Sequence, residues 1–340
     1  MIRRSDTEFH HPADPGHGYA ETNFFCFALP EHRLMVSAYT VTRKGIGTMA
    51  ADVVVFGDLV SDRAQCLYID SQQHLPAPEV LSDYRTPNGL VVKALNERDY
   101  HVEYRGYDGV EFVIDFAGLM EPFDIHDPTH SPKAKADSSV AERHAGSGLG
   151  AGYGGHFDLT GRVTGYFVLA GMRYEVDCVE TMDHSWGHRP ELGIHSMGWM
   201  HAHFGPDLAI HWITAYDPAA PADRQWTLAH GYVMEDGQVY GLTDLQLQST
   251  CVGRVLTSME LVATDRRGRK YELSGSSIIG APWTCYVATE AYCALVRWTT
   301  AGGRVGYGMC QQNESMQSLT RRVGRRAIPV LAVPSSGDRP

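Results

Sequence analysis

The chain has 340 residues, enough to bury one large hydrophobic core or two ordinary ones. Hydrophobic residues at 43% and charged residues at 20% are the proportions of a folded globular protein and exclude a disordered or fibrous chain. A net charge of −11 carries no electrostatic footprint for nucleic acid, and no apolar run approaches the roughly 18 residues that span a bilayer.

The opening MIRRSDTEFHHPADPG is positively charged with no apolar stretch behind it, so no secretory signal is expected there. Seven cysteines (26, 66, 178, 251, 285, 293 and 310) are odd in number and form no C-x-x-C pair. Reduced thiols in a cytoplasmic protein are expected, rather than a disulfide framework or a cysteine zinc site.

The dominant hydrophobic period is two. In Val110–Phe116, residues Val110, Phe112, Ile114 and Phe116 share one face, while Glu111, Val113 and Asp115 share the other. Turn pairs punctuate such runs: Asn88-Gly89, Asp108-Gly109, Asp236-Gly237 and Gly302-Gly303. Helical periodicity is scarce, the best candidate being the short Ser138–His144. The expected fold class is all-β, built of antiparallel meanders.

Composition breaks at 124–155, which runs from DIHDPTHSPKAKADSS to a glycine-rich GSGLGAGYGG and is expected to be a long irregular loop or lid. Its Gly150, Gly152 and Gly155 satisfy G-x-G-x-x-G. The hairpin-like HFDLTGRVTGYF that follows lacks the helix which dinucleotide binding needs. Near the C-terminus, RRVGRR at 321–326 reads as a solvated terminal segment.

The chemistry concentrates in Glu180–Pro190, ETMDHSWGHRP. Strand, glycine turn and strand are expected to deliver Asp183 to the end of a sheet. Asp183, His184, Trp186, His188 and Arg189 would then sit in a short turn between Gly187 and Pro190. One reading is a capped corner in which Arg189 pairs with Asp183 and Trp186 fills space. The other is catalytic. Adding water to an alkene needs a carboxylic acid kept protonated by an apolar pocket, an aromatic face for the cation, and an imidazole to orient water. Asp183, Trp186 and His184 supply these three types.

Downstream, His195, Met197, Trp199, His201 and His203 alternate and share a strand face. If Gly205–Asp207 is a three-residue loop, Phe204 meets Leu208 and His201 faces His211 on the next strand, with His203 on the same face. Converging, the three histidines form a metal site. Otherwise they line a barrel lumen or face solvent.

The segment HFD…GRVTG…TMDHSWGHR resembles the signature of hydroxyneurosporene synthase-like proteins, the acyclic-carotenoid hydratase and AttH-type group. Glu21–Phe27 and Gly302–Gly308 resemble that group's first and last segments. Where its members usually have Arg before Asp-His-Ser-Trp-Gly, this chain has Met182. The resemblance implies two lipocalin-like β-domains enclosing an apolar ligand, here 1–191 and 192–320 followed by a tail at 321–340. It implies hydration, dehydration, isomerisation or pericyclic cyclisation of polyenes and terpenoids, without metal or other cofactor. Non-catalytic carriage of a hydrophobic ligand is the alternative. The expected catalytic residues are Asp183, His184 and the acidic Glu21, with Trp186, Arg189, Trp199, His201, His203, His211 and Tyr307 as substrate-binding residues. The expected partner is a hydrophobic small molecule.

Overall fold

The computed structural model describes residues 1–11, 16–134, 139, 150–189, 195–286 and 288–324. The chain is nearly all strand. The first set comprises β1 (Tyr19–Leu29), β2 (Leu34–Arg43), β3 (Thr48–Phe56), β4 (Tyr68–Pro76), β5 (Asp83–Arg85), β6 (Leu90–Ala94), β7 (Asp99–Arg105), β8 (Glu111–Gly118), β9 (Phe123–Asp124), β10 (Gly155–Leu169) and β11 (Met172–His188). These form an 11-stranded sheet ordered β4-β3-β2-β1-β11-β10-β8-β7-β6-β5, with β9 paired to β10.

The second set comprises β12 (Met197–His203), β13 (Leu208–Tyr216), β14 (Trp226–Glu235), β15 (Gln238–Val252), β16 (Val255–Asp265), β17 (Lys270–Tyr286), β18 (Thr289–Thr300) and β19 (Val305–Ser315). They close a barrel in chain order, so no barrel strand is left with an open edge. Most of the expected Ser138–His144 helix, residues 135–138 and 140–149 of the 124–155 loop, the 191/192 boundary and most of the tail lie outside the described residues. Arg322, expected to be solvated, is half-buried and donates to Glu314 Oε2 at 3.2 Å.

Period two builds both units. Along β8, Phe112, Ile114 and Phe116 are buried and Asp115 is exposed, as the alternation requires. Asp236-Gly237 forms the two-residue hairpin between β14 and β15, with φ of 48° and 79°, the left-handed pair of a type I′ turn. β1 breaks the pattern because every one of its residues is buried. A strand is buried on both faces only when something covers each face.

The reason is a third core. One lies against the inner face of the sheet, around Phe25, Phe27, Phe112, Phe157 and Leu159. A second fills the barrel, around Met200, Trp212, Leu261 and Trp298. The third lies between the units, where Phe24, Tyr39 and Phe56 of the sheet meet Trp199, Ile213 and Trp283 of the barrel. Phe24 sits edge-on to Trp199 at 5.1 Å between centroids. Hydrogen bonds cross the same seam. Thr160 Oγ1 lies 2.7 Å from the Tyr232 hydroxyl, and Tyr39 and Tyr286 hydroxyls lie 3.0 Å apart.

Phe24→Ala is expected to destabilise by about 3–5 kcal/mol, the usual range for emptying a buried aromatic site. Because Phe24 belongs to both units, strand circular dichroism and tryptophan emission are expected to shift together in a urea titration. Two separated transitions would contradict a shared core.

Candidate functional site

The motif Asp183–His188 is strand rather than turn, which corrects the sequence expectation. It is the last stretch of β11, in the middle of the sheet, paired to β1 from Phe24–Asp183 to Tyr19–His188 and to β10 through Asp158–Asp183 and Gly155–Trp186. Successive residues of a strand point to opposite faces, so Asp183 and His184 cannot serve one pocket. Asp183 lies on the face with Phe24 and Asp158, towards the barrel. His184 and Trp186 lie with Glu21 on the other face.

On that other face the His10 ring nitrogen Nδ1 is 3.0 Å from Glu21 Oε2, and His10 N–H donates to Glu21 Oε1 at 2.8 Å. His184 Nδ1–H donates to the Thr22 carbonyl at 2.7 Å, and its Nε2 is 3.8 Å from Glu21 Oε2. Burial pushes His184 down to about 3, with His10 adding to the fall, and it pushes the Glu21 carboxyl up. Trp186 stacks on His10 at 3.8 Å and 10°, so that ring face is occupied. Gly155 is required opposite it, because a Cβ there would fall 2.0 Å from the indole.

The barrel-facing side holds the denser constellation. Asp158, on β10, is fully buried and receives the Trp199 Nε1–H at 2.9 Å, with His156 Nε2 at 2.8 Å and His211 Nε2 at 3.1 Å. Burial alone would raise this carboxyl, but the His156 and His211 imidazoles hold it well below the usual carboxylate range. Burial alone would likewise lower His156, and Asp158 raises it instead. The two form a buried ion pair.

Asp183 is next to this pair and differs from it. The residue is only half-buried, and among the described residues nothing hydrogen-bonds its carboxyl. Burial pushes it up to about 7, with His156 and Arg189 opposing and Asp158 adding to the rise. Arg189 does not pair with it. Its guanidinium donates to the hydroxyls of Tyr286 and Ser185 and lies 5.6 Å from the Tyr153 and Tyr286 ring centroids. Tyr153, Arg189, Met197 and Tyr286 are also only partly buried, so the seam between sheet and barrel keeps some exposure to solvent here.

The histidine hairpin has the register read from the sequence. Phe204 N–H donates to Leu208 at 2.9 Å and His201 pairs with His211. Its direction differs from two of the readings. Met200, Ala202, Ile210 and Trp212 fill the barrel, so His201, His203 and His211 point outward, where the sheet buries them. They neither line the lumen nor meet solvent, and they do not converge as a triad. His211 turns to Asp158, whereas His201 Nε2 and His203 Nδ1 lie 2.9 and 3.6 Å from Glu180 Oε2. Burial lowers His201 well below the usual histidine value and raises Glu180. Tyr307 pairs beside His203 on β19, and Trp199 serves Asp158.

Sequence reasoning thus missed Asp158, His156, Glu180, Cys26 and His230. A signal was present: His156-Phe-Asp158 alternates on β10 opposite Asp183, and Glu180 opens the motif itself. Three groups have donor atoms close enough for a metal: His10–Glu21–His184, Cys26–Glu180–His201 and His156–Asp158–His230.

The family model described as "Domain of unknown function (DUF7064)" matches residues 4–316. No curated protein matches the sequence. Among solved structures the chain is similar to kievitone hydratase from Nectria haematococca, at 12% identity and TM-score 0.54, covering 88% of this chain and 89% of that one. It is similar to CghA, solved with Sch210972, at 11% identity and TM-score 0.50, covering 88% of each chain. An AttH-like protein from Nitrosomonas europaea is similar at 9% identity and TM-score 0.49, covering 86% of this chain and 91% of that one. The first two likenesses show the fold: a curved sheet and a closed eight-stranded barrel in one chain.

Asp158→Asn is expected to cost about 3–5 kcal/mol, since it leaves a buried partner uncompensated. Without the carboxylate, burial dominates His156. Imidazole NMR is expected to show His156 titrating above the ordinary histidine value in the wild type and below it in the variant. An unchanged His156 titration would contradict the pair.

Proposed function

Since the chain belongs to the DUF7064 family, which is defined without an activity, we propose its function from the site: Asp183 is the general acid of an enzyme that adds or removes water on a hydrophobic alkene or alcohol, or isomerises it. The observation that carries this reading is the pair of carboxyls on adjacent strands. Asp158 is ionised and bonded by Trp199 and His156; Asp183 is held up to about 7, unpartnered among the described residues and partly exposed. Two carboxyls whose environments push them apart are how a fold separates a permanent anion from a proton donor.

In the dehydration direction, the Asp183 carboxyl gives its proton to the substrate hydroxyl and the C–O bond breaks, releasing water. The Asp183 carboxylate then removes a proton from the adjacent carbon as the C=C bond forms, which regenerates the acid. Hydration is the reverse, and protonation at one carbon with loss from another is isomerisation. Tyr153 and Met197 offer apolar surface, and Arg189 with Tyr286 offers donors to a substrate oxygen. The Arg189 charge disfavours a free carbocation, so a substrate whose alkene is polarised by a neighbouring oxygen fits better than a plain polyene. The reading gives no direct role to His184, Glu21 or Trp186. The likeness in fold to a protein named a hydratase supports the reaction class. A non-catalytic carrier would leave the high pKa of Asp183 without a use.

The test uses hydrophobic alcohols and alkenes, with mass spectrometry reading gain or loss of water. Asp183→Asn is expected to lower turnover by roughly 10²–10⁴-fold, the range for general acid catalysis, while ligand binding barely changes. Wild-type turnover is expected to fall as pH rises through about 7, because only the protonated carboxyl donates. The linkage has the same sign. A carboxyl raised in the folded state contributes stability that is present below its unfolded value and lost as pH rises through about 7. Melting temperatures are therefore expected to shift in favour of Asp183→Asn between pH 5 and about 8. A folded Asp183→Asn protein with wild-type turnover would end the reading.

A further inference from the structure

We propose that Cys26, Glu180 and His201 hold a zinc ion that ties the sheet to the barrel. Cys26 and Glu180 come from β1 and β11 and His201 from β12, so three donors meet across the seam, with His203 beside them. The three ligands are buried, at 4%, 3% and 0% exposure respectively.

The spacing suits the ion. Cys26, Glu180 and His201 each place a donor atom within 4.8 Å of the other two, with Glu180 Oε2 3.5 Å from Cys26 Sγ and 2.9 Å from His201 Nε2. A tetrahedral zinc with bonds of about 2.0–2.3 Å sets its donor atoms roughly 3.3–3.7 Å apart. One thiolate and one carboxylate neutralise the ion, one imidazole joins them, and sulfur with imidazole favours zinc over calcium or magnesium.

Two further features point into the site. Neither ring nitrogen of His201 has a hydrogen-bond partner: Nε2 is close to Glu180 but misaligned, and Nδ1 has nothing. A fully buried imidazole with two idle nitrogens leaves polar atoms without compensation, which a metal bond at Nε2 relieves. His203 backs the carboxylate from beside the site: its Nε2 meets Thr181 Oγ1 at 2.9 Å, and its Nδ1 faces Glu180 Oε2 at 3.6 Å. The other two clusters offer no thiolate. Asp158 is already bonded by Trp199 and His156, and both Glu21 oxygens are held by His10.

Untagged protein, purified without metal-affinity resin and refolded with zinc, decides the matter by elemental analysis. One retained zinc per chain is expected, and the content is expected to drop in Cys26→Ser and in His201→Ala. Replacing zinc with Co(II) is expected to give a thiolate-to-cobalt charge-transfer band that Cys26→Ser abolishes. If either variant fails to fold, that band in the wild type and its loss on adding zinc still decide. Only traces of metal in correctly folded protein would overturn the proposal. So would a full zinc equivalent retained by both variants, which places the ion elsewhere.

Discussion

A carboxylate without water stays ionised only while donors surround it, and Asp158 is the point on which the seam depends. It sits at full burial between two apolar units, and its partners are divided between them: His156 from β10, and Trp199 and His211 from the barrel. The sheet supplies a charge that it cannot satisfy alone. Hydrophobic contact brings the two faces together without fixing their angle or offset, whereas polar contacts from both units converging on one carboxylate specify both. The surrounding Phe24, Tyr39 and Trp283 contribute the greater part of the adhesion, and the polar layer selects the alignment.

That alignment also explains why two aspartates one strand apart behave so differently. Asp158 and Asp183 pair across β10 and β11, and the ionised one raises its neighbour. Asp158 and His156 together are close to neutral, so the residual field at Asp183 is modest and desolvation controls it. The remaining exposure of Asp183, Tyr153, Arg189, Met197 and Tyr286 falls beside the same buried layer that raises the Asp183 carboxyl.

Much of the fold was legible because strand physics is local. Alternation in β8, the Asp236-Gly237 turn and the His201–His211 register all follow from period two and loop length. What could not be read was which second surface covers a strand. β1 and the Asp183–His188 stretch have polar and apolar residues on both faces, and a single sequence offers no sign that one face meets a barrel. Hence the motif read as a turn, and His184 and Glu21 were grouped with Asp183. The histidines of β12 were assigned a shared face correctly. That the face looks outward depends on Met200, Trp212 and the six other barrel strands, which no local window contains.

Strand order has a consequence for how the chain is made. β1 pairs on one edge with β2, its immediate neighbour in sequence, but its other edge belongs to β11, with Tyr19 opposite His188. During synthesis the first strand therefore emerges long before its second partner, with an open edge and an apolar face on each side. Closing so large a loop is slow relative to local hairpins, and unpaired hydrophobic edges are where nascent chains associate wrongly. Even when β11 arrives, the outer face of the sheet stays uncovered until the barrel, encoded last, has closed. Ribosomes stalled anywhere before β19 would release a chain with its stickiest surface bare. Quality control, rather than activity, is then where small losses in the seam would first be felt.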